Sequence, residues 1–115
     1  MRLVRINETI SNTELAPMAS RMFGNLVKAV VDLEQEIMMV DADMHADQEE
    51  ALLEMGSQQE NLWGINLLPD KTGDDWLVFD SMINIRPGQN NRSRSVESPE
   101  IRARIKAVVA KLVTP

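Results

Sequence analysis

The chain has 115 residues, of which 43% are hydrophobic, 26% charged and 3% aromatic, and its formal net charge is −6. That length fits one domain over residues 1–115, and the apolar share argues against disorder. The absence of cysteine removes thiol catalysis, disulfides and zinc–thiolate centres, and the acidic balance disfavours nucleic acid as a partner. No apolar run reaches the roughly 18 residues of a membrane span or forms a signal peptide, so the expected setting is cytoplasmic, with no membrane partner.

In chain order, Leu3 to Ile6 has the character of a short strand. Leu15, Met18, Ala19, Met22 and Phe23 recur at helical spacing, which predicts a helix over 14–23. Ser11, Asn12 or Thr13 can cap it, Pro17 falls near its first turn and Gly24 is a stop. VKAVVDLEQEIMMV (27–40) alternates and is too long for one ordinary strand, so it reads as a hairpin turning near Glu34 and Gln35. Residues 44–57 form a short helix in which Asp47 and Glu50 have capping-box spacing and Gly56 closes the end.

Strand character returns over 62–68, where Trp63, Ile65 and Leu67 alternate. After turn chemistry at Pro69, Asp70 and Gly73, a second long strand is predicted over 76–86. PGQNNRSRS (87–95) is a loop by composition. Ser98, Pro99 and Glu100 then open the clearest helix, with Ile101, Ile105, Val108, Val109 and Leu112 as its apolar stripe. The order β-α-ββ-α-ββ-α predicts an α+β fold, a mainly antiparallel sheet with three helices on one face.

Charge is segregated. Every charged residue between Lys28 and Lys71 is Asp or Glu, whereas residues 86–111 are basic apart from Glu97 and Glu100. The segregation fits either pairing within the fold or an acidic-to-basic contact between copies, a homo-oligomer, or with another protein.

Three constellations bear on function. By strand parity, Lys28, Asp32, Asn66, Asp80, Asn84 and Arg86 project from the sheet face opposite the helices, as a polar recognition platform. Arg86, Asn90, Asn91, Arg92 and Arg94 form a basic loop able to hold a small anionic ligand through guanidinium forks and backbone N–H groups. His45 is the sole histidine, and with Asp43 and Asp47 it forms the alternative acid–base or metal set, suited to Mg²⁺ or Ca²⁺. An EF-hand is excluded, because counting from Asp41 puts Ala46 where the turn glycine belongs and Leu52 where the last ligand belongs. Trp63, Trp76 and most of the eight Met residues read as core packing.

Four runs, VKAVVDLEQEIM (27–38), HADQEEALLEMGS (45–57), LWGINLLPD (62–70) and SMINIRPGQNNRS (81–93), resemble a family of short uncharacterised bacterial and archaeal proteins, a domain of unknown function. The resemblance implies a shared fold and a shared surface, and no reaction. Two functions fit the residues. One is a non-enzymatic binding or interaction module using the polar face and arginine loop. The other is a small enzyme built on His45 and nearby carboxylates, with or without a divalent cation.

Overall fold

The computed structural model describes residues 1–22 and 25–115; the expected helix end at Phe23 and Gly24 lies outside them. Five strands form one antiparallel sheet: β1 (Arg2–Val4), β3 (Val27–Asp32), β4 (Ile37–Val40), β5 (Leu62–Leu67) and β6 (Leu77–Val78), in the spatial order β1-β4-β3-β5-β6. A separate parallel pair joins β2 (Ile10–Ser11) to β7 (Val113–Thr114). The helices are α1 (Asn12–Met22), α2 (His45–Glu54) and α3 (Pro99–Leu112). The α+β class, the antiparallel sheet and the three helices match the expectation from sequence.

Their placement differs in one respect. Helices α1 and α3 cover the face of Val27, Ala29, Val31, Trp63, Ile65 and Leu67, through Leu15, Met18, Ile105, Val108 and Leu112. Helix α2 lies on the other face, where Leu52 packs with Val30, Met39 and Leu62. The face expected to be open and polar is thus partly roofed. The reason lies in β3, β4 and β5, which carry apolar residues at both parities, so both faces of the sheet centre need cover.

Local chemistry sets the element ends. The capping box forms at α1: Ser11 Oγ accepts from Glu14 N at 3.1 Å, and Glu14 Oε2 accepts from Ser11 N at 2.8 Å. Those bonds, with Arg2, hold the Glu14 carboxyl below the usual carboxylate range. Asp47 and Glu50 do not form the expected box, because α2 begins at His45 with Met44 before it and no side-chain cap. Pro17 sits in the interior of α1 rather than at its first turn. Gly56 closes α2 at φ +100°. Helix α3 starts as expected, with Ser98 Oγ accepting from Ile101 N at 3.2 Å.

The hairpin turns without Gly or Pro because Asp32 organises it. Asp32 Oδ1 accepts from the backbone N–H of Glu34 (2.9 Å) and Gln35 (3.1 Å), while Oδ2 accepts from Gln35 Nε2 (3.0 Å) and Ser57 Oγ (2.7 Å).

The long strand expected over 76–86 does not form. Pairing stops after Val78, and the chain turns through a single 3-10 turn at Met82–Asn84, capped by Ser81. Along the vacated edge of β5, side chains act in place of a strand. Asn84 makes a reciprocal pair of hydrogen bonds with the Gly64 peptide groups, and Arg86 donates to the carbonyls of Leu62 and Gln59. Gly64 is required there: a Cβ would lie 2.5 Å from Ser81 Cβ.

Candidate functional site

Of the thirteen candidate site positions named from the sequence, four are bound into the fold and five line one cavity. Asp32, Asn84, Arg86 and Asn91 belong to the first. Asp32 is buried in its turn, and Asn84 is buried against Gly64. The Arg86 guanidinium stacks 4.2 Å from the centroid of the buried Trp63 ring, and burial lowers its pKa. Asn91 Nδ2 donates to the carbonyls of Asn84, Ser93 and Ser95, and its Oδ1 accepts from Glu97 N.

The arginine loop is therefore not assembled around an open anion site. Its backbone N–H groups at Arg92 and Ser93 are already taken by Glu97 Oε2, at 2.6 and 3.0 Å. Those bonds lower the Glu97 pKa, the Arg92 N–H being the main cause. Asn90 is exposed and occupies the left-handed turn position at φ 59°.

The second group converges. Lys28 on β3, Asn66 on β5, His45 at the start of α2, and Asp80 and Arg94 beyond β6 line one cavity of about 360 Å³. Helix α2 is fixed over it by two hydrogen bonds to strand carbonyls, His45 Nε2 to Ile65 O and Gln48 Nε2 to Lys28 O, each 2.7 Å. Arg94 Nε pairs with Asp80 Oδ1 at 2.7 Å, both side chains half exposed. Asn66 Nδ2 donates to Asp80 O at 3.0 Å, whereas its Oδ1 is buried without a partner. Met44 and Met82 stand exposed on the rim, apart from the core packing read for most of the methionines.

A carbonyl can only accept, so His45 Nε2 carries the ring proton in the neutral tautomer and Nδ1 keeps its lone pair. Burial pushes the His45 pKa down; the Ile65 bond and Asp80 oppose the shift, and Lys28 and Arg94 reinforce it. The ring is neutral at pH 7.

Asp43 and Asp47 do not join His45. They line a separate acidic groove with Asp41, Glu50 and Glu54, and among the described residues no three His, Asp or Glu side chains are grouped to hold a metal ion. A larger groove, about 590 Å³, runs between Trp76, Leu77, Val109 and Val113. Its lining is mainly apolar and the Trp76 indole N–H is already bonded to Asn12 Oδ1 at 2.8 Å, so it offers less directional chemistry than the cavity at Asn66. The signal for His45 was visible as the sole histidine, but its membership of the Lys28–Asn66 face depends on α2 crossing the sheet.

Charge segregation is resolved only in part by the fold. Among the described residues, Lys111 Nζ to Glu36 Oε1 at 2.8 Å is the one ion pair joining the acidic and basic stretches; Arg2–Glu14, Arg21–Asp41 and Arg94–Asp80 lie elsewhere. No helix among them is long and apolar enough to cross a membrane.

A two-sided antiparallel sheet with a polar cavity at one helix start defines a small α+β fold. The chain belongs to a family described as proteins of unknown function (DUF5674), whose profile spans residues 4–112. Neither a curated protein nor a solved structure is matched by it.

Proposed function

We propose that the protein is a small, cytoplasmic, non-enzymatic binding module whose cavity between the start of α2 and the Asp80–Arg94 segment takes a small anionic ligand. The observation that carries this reading is the convergence of Lys28, His45, Asn66, Asp80 and Arg94 on one cavity, while the neighbouring polar residues are occupied in holding the fold. The Lys28 ammonium and the Arg94 guanidinium both line that cavity, and cationic groups attract a negatively charged ligand. Cysteine-free composition suits a reducing compartment. The enzyme alternative loses its proposed partners, since Asp43 and Asp47 face a different groove.

The test is an NMR titration of ¹⁵N-labelled protein with small monocarboxylates and inorganic phosphate. Shifts confined to the amides around Lys28, His45, Asn66, Ile83 and Arg94, weakened at least tenfold by Lys28→Met, support the reading. Uniformly silent spectra reject it.

Self-association is a second element of the proposal, favoured by the finding that, among the described residues, one ion pair, Lys111 to Glu36, joins the acidic and basic stretches. Native mass spectrometry decides it: a clean multiple of the 13.0 kDa chain supports a homo-oligomer, and a bare monomer at micromolar concentration removes it.

A further inference from the structure

We infer that the groove between α3 and Trp76 is a second binding site, separate from the cavity at Asn66, and that it takes an amphipathic carboxylate, a hydrocarbon body bearing one negative charge. Lys106, Val109 and Ala110 share one face of α3 at i, i+3 and i+4 spacing, and Val113 extends that wall into β7. Trp76 and Leu77 form the wall opposite. Trp76, Leu77 and Val113 are half-buried: each packs on the core and still lends apolar surface to the groove.

Hydrogen bonds fix these walls without any ligand. Asn12 Oδ1 accepts from Trp76 Nε1 at 2.8 Å, and Asn12 Nδ2 donates to Pro69 O at 2.9 Å. Leu68 N donates to Trp76 O at 2.8 Å, and the pairing of Ile10 with Val113 ties down the end of α3. The indole N–H is thereby satisfied, so a ligand between the walls meets mainly hydrocarbon and ring surface. Size agrees, because about 590 Å³ lies inside the roughly 300–1,000 Å³ range of small-molecule sites.

Charge is confined to exposed side chains. Lys71 and Lys106 both line the groove, and among the described residues neither side chain makes an ion pair or a hydrogen bond. Asp74 stands with them and opposes them. A lysine stem can lie along apolar surface while its ammonium stays in water, where it meets a carboxylate at the mouth. A small hydrophilic anion leaves the apolar walls unused, a neutral hydrocarbon leaves both ammonium groups unused, and a cation is repelled by them.

The experiment titrates the ¹⁵N-labelled chain with butanoate, hexanoate and octanoate, and with octan-1-ol and octylamine as matched probes. Shifts are expected at the Trp76 indole N–H and at the amides of 71–77 and 106–114. Affinity is expected to rise about twofold to fourfold per added methylene, the upper figure being full burial. Lys71→Gln and Lys106→Gln, both at exposed positions, are each expected to weaken octanoate by about twofold to fivefold and to leave octan-1-ol unchanged. Lys28→Met, at the other cavity, is expected to leave octanoate binding in the groove unchanged. Octanoate that binds no more tightly than butanoate, or no more tightly than octan-1-ol or octylamine, overturns the proposal. Shifts confined to the Asn66 cavity overturn it as well and leave the anion reading intact. Groove signals that move with protein concentration in the absence of any probe show a second copy covering the site, and the proposal falls.

Discussion

The side-chain amide of Asn84 faces the Gly64 peptide groups and makes both hydrogen bonds that a neighbouring strand would make. Its Oδ1 accepts from Gly64 N at 2.8 Å, and its Nδ2 donates to Gly64 O at 2.9 Å. This substitution of a side chain for a strand lets the chain leave the sheet after Val78 without leaving the edge of β5 unsatisfied. Asn84→Ala removes both bonds and leaves buried groups unpaired, at about 1–3 kcal/mol for each. Gly64→Ala is expected to cost about 1–3 kcal/mol by overpacking against Ser81. Urea midpoints of Gly64→Ala, Ser81→Gly and the double variant test this: the double variant is expected to be more stable than the sum of the two losses, and strict additivity counts against the contact.

Asp32 looks like a ligand residue in the sequence and acts as a turn organiser in the structure. Asp32→Ala removes the acceptor for two backbone and two side-chain donors, so a loss of at least about 3 kcal/mol is expected. Asp32→Asn keeps one acceptor oxygen and is expected to lose about half as much. Chemical denaturation measures both, and the Asn variant is expected to leave ligand titration shifts at the Asn66 cavity unchanged.

Arg86 keeps its place by shape as well as charge. Arg86→Lys retains the cation but loses the planar stack on Trp63 and the fork to Leu62 O and Gln59 O, so about 1–2 kcal/mol of destabilisation is expected. A shift of Trp63 emission, read in a Trp76→Phe background, accompanies it. Unchanged emission and stability would show that the stack contributes nothing.

His45 predicts an acid-sensitive step. Its pKa in the folded chain lies below the ordinary histidine value of about 6.5, so the unfolded state binds more protons between the two values. Stability from this group is full above about pH 6.5 and falls as pH drops toward the folded value. Lys28 and Arg94, facing the ring, add to the effect, and Asp80 opposes it. His45→Gln keeps a donor for Ile65 O and has no titrating ring. Its urea midpoint is expected to be flatter than wild type between pH 7.5 and 5.5, and an equal slope would rule out His45 as the cause.

Elements whose signals are local were legible in the residues alone. Ser98-Pro99-Glu100 and the stripe through Leu112 define α3, the alternation in 27–40 defines the hairpin, and Trp63, Ile65 and Leu67 define β5, because capping and period depend on neighbours in the chain. The apparent strand over 76–86 misled because its alternation is real, while the pairing partner at Gly64 and Leu62 is an amide and a guanidinium. Nothing local in Asn84 or Arg86 announces that role.

The site followed the same division. The sequence by itself determined that Lys28 and Asn66 share a sheet face and that His45 is the sole imidazole, since strand parity and composition need no tertiary contact. Only the tertiary structure decided that α2 crosses to that face, bringing His45 beside Asn66 and away from Asp43 and Asp47. It also decided which polar groups the fold consumes and which it leaves unpaired. Those choices rest on packing at both faces of β3 and β5 and on hydrogen bonds between residues 10 to 27 positions apart, which no local pattern encodes.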